Sequence, residues 1–122
     1  AKRLIDAAKN AAVKKFVMLS SMGTDNPSIG GELEGYFKAK QNADNYLKKS
    51  GLIYSIVKPG ALTNEKSTSK IQLKEKLENQ GSISRADVAH TLVEVLEDNL
   101  KKNQAFEIIT SDTRIKNAVT NY

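Results

Sequence analysis

Three short apolar runs constrain this chain more than anything else in it: Phe16-Val17-Met18-Leu19, Leu52-Ile53-Tyr54-Ser55-Ile56-Val57 and Phe106-Glu107-Ile108-Ile109-Thr110. Each is too short for a helix. The first two are nearly continuous in apolar residues, the mark of strands covered on both faces of a parallel sheet. Residues 2–12 precede the first run and carry Leu4, Ile5, Ala8, Ala12 and Val13 as an apolar stripe at helical spacing. Residues 33–50 lie between the first two runs, and the spacing of Tyr36, Phe37, Ala39, Lys40, Ala43 and Leu47 predicts a second helix, stopped at Ser50-Gly51. Ser84-Arg85-Ala86-Asp87 reads as a capping box opening a third helix, with Val88, Ala89, Leu92, Val93, Val95 and Leu96 inward. Thr110-Ser111-Asp112 offers a cap for a short terminal helix. Residues 63–82 are polar and lysine-rich, with a weak helical pattern near Ile71, Leu73 and Leu77. Strands alternating with helices in this way predict an α/β class built from parallel βαβ units.

The 122 residues make a single domain, 1–122, with a modest core. No apolar run approaches the roughly 20 residues that span a bilayer, so no membrane partner is expected. Without cysteine there is no thiolate metal site or cysteine nucleophile. These features fit a cytoplasmic setting. The net charge of +5 comes mostly from lysines spread along the chain, with local pairs at 14–15, 48–49 and 101–102. Nucleic-acid binders concentrate arginine and aromatics on one face, and that pattern is missing, so a solvated surface is the expectation. His90 has no partner ligand at metal spacing, so packing or solvent exposure is expected of it, and no metal.

Chemistry is concentrated at Tyr36-Phe37-Lys38-Ala39-Lys40. Residues four apart share a helix face, so Tyr36 and Lys40 can present phenol and ammonium to one ligand. An ammonium near a phenol favours the phenolate, which suits a tyrosine to proton transfer at a carbonyl or hydroxyl. Ser20 or Ser21, at the end of the preceding strand, could supply a hydroxyl to the same oxygen, because ligands of parallel sheets bind beyond the carboxyl ends of the strands. Alone, the pair is weak and reads more readily as a packed tyrosine and a solvated lysine.

The order of segments carries more weight. Val17-Met18-Leu19-Ser20-Ser21, then Tyr36-x-x-x-Lys40, then Ser50-Gly51-Leu52 through Lys58-Pro59-Gly60-Ala61-Leu62 resembles the atypical short-chain dehydrogenase/reductases, in their NAD(P)-binding NmrA-like or epimerase-like branch. Ile83-Ser84-Arg85-Ala86-Asp87-Val88-Ala89 and Phe106-Glu107-Ile108-Ile109 resemble later segments of the same branch. The resemblance implies the C-terminal half of a Rossmann-type, doubly wound, mainly parallel sheet flanked by helices. It implies Tyr36 as proton donor or acceptor, Lys40 as holder of a nicotinamide ribose, and Ser21 as the substrate-orienting hydroxyl. Ser20 would lie near the nicotinamide, with Pro59, Gly60, Ala61 and Leu62 forming the loop beside it. Arg85 and Asp87 are read as a structural cap and surface interaction.

The glycine-rich turn that accepts the pyrophosphate in such proteins is not found between a strand and a helix of this sequence. A partial NAD(P)-binding domain is therefore expected, weak in dinucleotide affinity on its own and inactive alone. The first strand would be an unpaired edge open to self-association. The implied activity is that of an NAD(P)-dependent oxidoreductase or epimerase acting on a small molecule, and the alternative is a non-catalytic NAD(P)-sensing regulator of NmrA type.

Overall fold

The computed structural model describes residues 1–24, 26–98 and 102–122. Asp25 of the polar loop, and Asn99 and Lys101 before the last long strand, lie outside them. Helix α1 (Lys2–Asn10) leads to strand β1 (Phe16–Leu19), and a 3-10 stretch (Pro27–Leu33) leads into α2 (Glu34–Lys48). Strand β2 (Tyr54–Pro59) follows, then β3 (Ala61–Thr63), β4 (Lys70–Lys74) and β5 (Ser82–Ser84). Helix α3 (Arg85–Glu97), β6 (Gln104–Thr110), β7 (Thr113–Arg114) and α4 (Ile115–Thr120) complete the chain.

The main sheet has the order β1-β2-β6-β4-β7. β1, β2 and β6 run parallel, with Phe16 opposite Tyr54 and Lys58 opposite Glu107. Period-two alternation sends consecutive β2 side chains to opposite faces. Ile56 packs with Ile5 of α1 and Leu47 of α2 on one face. Val57 packs with Phe106, Ile108, Val88, Val95, Ile115 and Val119 on the other, under α3 and α4. Helices thus cover both faces, as the parallel arrangement requires.

The structure corrects the sequence reading in several places. Residues 63–82 are not a weak helix: Lys70-Ile71-Gln72-Leu73-Lys74 alternates with period two, and β4 lies antiparallel to β6 with Ile71 and Leu73 buried. Two turns of helix could not bury residues 71 and 73 together. The terminal helix starts at Ile115 rather than after a 110–112 cap, because Thr113 and Arg114 pair with β4 first. On α3 the inward residues are Asp87, Val88, Thr91 and Val95, while Ala89, Val93 and Leu96 face out. On α1, Leu4 and Val13 are exposed and only Ile5 and Ala8 are buried. β1 is the expected edge strand, paired with β2 alone among the described residues, but Phe16, Val17 and Met18 are half-buried and Leu19 exposed rather than enclosed.

Asp87 is the most consequential departure. Its backbone N–H donates to the Ser84 hydroxyl at 3.1 Å, the expected cap. Its carboxylate is not at the surface. It is fully buried and accepts from the Ser67 hydroxyl, from the amides of Thr68 and Ser69 at 3.0 Å each, and from the Thr68 hydroxyl. One side chain therefore fixes the loop joining β3 to β4. Arg85 behaves as expected, exposed and donating to Asn64 Oδ1 at 2.6 Å.

Candidate functional site

β1 and β2 end side by side. Past the ladder, Ser20 N–H donates to Val57 O at 2.7 Å and Met22 N–H to Pro59 O at 3.1 Å, so the two chain exits stay parallel. Gly23, at φ +93°, then turns the chain toward α2 in the left-handed region that glycine tolerates. After β2, Gly60 N–H donates to Ile108 O and Ala61 N–H to Gly81 O, both at 3.0 Å. The backbones of Gly60 and Gly81 approach so closely that a Cβ at position 60 would overlap the Gly81 carbonyl oxygen.

A cavity of about 570 Å³ opens beyond these strand ends, its walls including Ser21, Gly23, Phe37, Pro59, Gly60 and Ala61. Glu107 reaches it from β6, and residues 76–81 close its far side. Glu107 is buried, and its Oε1 accepts the Leu77 N–H at 2.7 Å, pinning that wall to the sheet.

The structure distributes the sequence-derived candidates unevenly. Ser21, Pro59, Gly60 and Ala61 share the cavity. The Ser21 hydroxyl donates to Met22 O at 3.1 Å and is half-buried. Leu62 lies on β3 with its side chain 42% exposed, outside the cavity wall. Tyr36 and Lys40 are on the first turns of α2, as expected, but neither lines the cavity. The Tyr36 ring is 53% exposed, packs edge-on against Phe37 at 5.7 Å between ring centres, and holds Lys40 Nζ 5.5 Å from its own centre. Phe37, next to Tyr36 on the helix, does line the cavity. Ser20 is buried, and its hydroxyl donates to Asp44 Oδ2 at 3.0 Å rather than toward the cavity.

Sequence reasoning missed Asp44, Glu107 and Gly81. Asp44 carried a signal, because positions 36, 40 and 44 repeat at one helical turn on one face. Its Oδ1 and Thr24 Oγ1 are buried without a hydrogen-bond partner among the described residues. Such orphaned groups cost about 1–3 kcal/mol each. Glu107 and Gly81 carried none, since their contacts join segments far apart in sequence. His90 is exposed and pairs with Glu94 Oε1 at 3.5 Å within its own helix.

A mainly parallel sheet covered by helices on both faces, with a cavity beyond the carboxyl ends of adjacent strands, defines an α/β protein of Rossmann type. The chain belongs to the NAD(P)H-binding family, whose profile matches residues 1–99. It is 39% identical over 120 residues to an uncharacterized sugar epimerase of Bacillus subtilis (strain 168), an alignment covering 98% of this chain and 56% of that protein. A solved Bacillus halodurans protein classed as an NAD-dependent epimerase/dehydratase superposes with a TM-score of 0.96 at 36% identity, over 99% of this chain and 57% of that one. A solved oxidoreductase from Lactococcus lactis superposes with a TM-score of 0.87 at 32% identity, over 98% and 57%. The chain spans about half the length of the curated relatives it matches.

Proposed function

We propose that the cavity beyond β1 and β2 receives the nicotinamide end of NAD(P)H and a small carbonyl or hydroxyl substrate, and that the whole protein is an oxidoreductase or epimerase-like enzyme of the short-chain dehydrogenase/reductase kind. The observation that carries this is the sharing of one cavity by Ser21 and the Pro59–Ala61 turn, with Tyr36 and Lys40 on the helix that follows β1. The residues suit the nicotinamide end. Gly60 presents backbone to the cavity, its peptide is fixed by Ile108, and Ser21 offers a hydroxyl at the wall. When bound, the nucleotide supplies or accepts hydride.

The protein's own groups then have separate tasks. Lys40 offers its ammonium to a ribose hydroxyl. Tyr36, beside it, gives or takes the proton at the substrate oxygen, which Ser21 orients by hydrogen bonding. Because Phe37 stands beside Tyr36 at the apolar wall, ligand entry would have to bring the substrate oxygen to the rim where Tyr36 is exposed. The family relationship, and the oxidoreductase and epimerase names borne by its relatives, support turnover over a purely sensing role of NmrA type.

Tyr36→Phe decides between enzyme and sensor. In the complete polypeptide, NADPH consumption with a panel of small carbonyl compounds should fall about 100-fold while the variant keeps its melting temperature. Equal measurable rates for the two proteins would remove Tyr36 from the chemistry, and no consumption by wild type would leave the sensing reading.

A further inference from the structure

We propose that Asp44 is a positioning residue, setting the end of β1 against the Tyr36–Lys40 face of α2 so that Ser21 meets the pocket at a fixed distance from that face. The inference rests on the reading of Ser21, Tyr36 and Lys40 given above.

Tyr36, Lys40 and Asp44 occupy successive turns of one helix face. Tyr36 is exposed and Lys40 half-buried, and Asp44, one turn further on, is buried. Asp44 Oδ2 accepts the Ser20 hydroxyl at 3.0 Å, and Ser20 N–H is held by Val57 O of β2. Ser21, the next residue, lines the cavity. Asp44 thus ties α2, which bears the proton-transfer pair, to the chain exit bearing the orienting hydroxyl.

Its other oxygen argues that this is more than packing. Asp44 is 3% exposed, yet Oδ1 has no partner among the described residues. An apolar side chain there would bury no orphaned acceptor but would leave the Ser20 hydroxyl without one. The carboxylate carries a local desolvation cost while fixing a distance that only the site uses, as positioning groups at functional sites do.

The test uses the chain as it stands, with reduced nicotinamide mononucleotide as probe, followed by backbone amide shifts and thermal melting. Asp44→Leu should melt within about 5 °C of wild type, shift the Ser21 and Met22 amides, and bind the probe about ten-fold more weakly. Asp44→Asn keeps an acceptor for Ser20 and should recover affinity to within about two-fold of wild type. Ser20→Ala should weaken binding as Asp44→Leu does, and the double variant should be no weaker than either single one. Overturning results are an Asp44→Leu chain that binds like wild type, one that melts more than about 5 °C lower, or an Asp44→Asn chain as weak as Asp44→Leu. If wild type shows no saturable shift at Tyr36 and Lys40, the reading of the site itself falls. If it does and Asp44→Leu binds equally, only the positioning role falls.

Discussion

A Gly60→Val chain is expected to melt about 12 °C below wild type, a loss of roughly 3 kcal/mol. The first atom of any side chain at position 60 would overlap the Gly81 carbonyl oxygen and press on Ile109 Cγ2 at 3.0 Å. The obstacle is largely backbone, so relief requires moving the β5 approach away from β3, which also opens the cavity wall. The Ala61–Gly81 hydrogen bond would be lost with it. Gly35→Ala is the control: nothing lies within 4 Å of a Cβ there, and the position is helical. That variant should be neutral or more stable by up to about 1 kcal/mol. Equal melting of the Gly60 and Gly35 variants in circular dichroism would mean the close approach is not a constraint.

Asp87 should give the second large effect. Burial alone would raise its pKa. The hydrogen bonds from Ser67, Thr68, Ser69 and Ser84 outweigh that and hold the carboxyl at about 2, below the ordinary 3.8. A depressed folded-state value means the stabilisation is complete above about pH 4 and disappears as the pH falls toward 2. It amounts to about 2 kcal/mol at neutral pH. Asp87→Ala removes the shared acceptor and leaves the loop donors to water, so about 3 kcal/mol should be lost at pH 7. The difference in stability between wild type and variant should narrow markedly between pH 4 and pH 2. A difference independent of pH over that window, in urea titrations, would show that the carboxylate is not what holds the loop.

These two positions also show what the sequence did and did not disclose. β2 and β6 were legible as apolar runs because a central parallel strand must be apolar on both faces, and β1 was legible for the same reason although it forms an edge here. β4 was not, because it is antiparallel and its ends are lysines, so only Ile71 and Leu73 mark its inner face. Ser84 was recognisable as a cap because capping is local. Asp87's partners lie 18 to 20 residues earlier and carry no pattern of their own. The same division runs through the site. Ser21 and the Pro59–Ala61 turn, which line the cavity, could be picked out from their order, while the place of Tyr36 and Lys40 off its wall, Phe37 on it and the Ser20–Asp44 link required the fold.

The central claim is that the cavity at the ends of β1 and β2 is the nicotinamide-side pocket of an NAD(P)H-binding protein. Amide shifts of the isotopically labelled chain, titrated with reduced nicotinamide mononucleotide, test it most directly. Saturable shifts are expected at Ser21, Met22, Gly60 and Ala61, with Tyr36 and Lys40 following, and none around the separate depression bordered by Lys48, Lys74 and Tyr122. Shifts centred on that lysine-lined depression, or none that saturate at the strand ends, would contradict it.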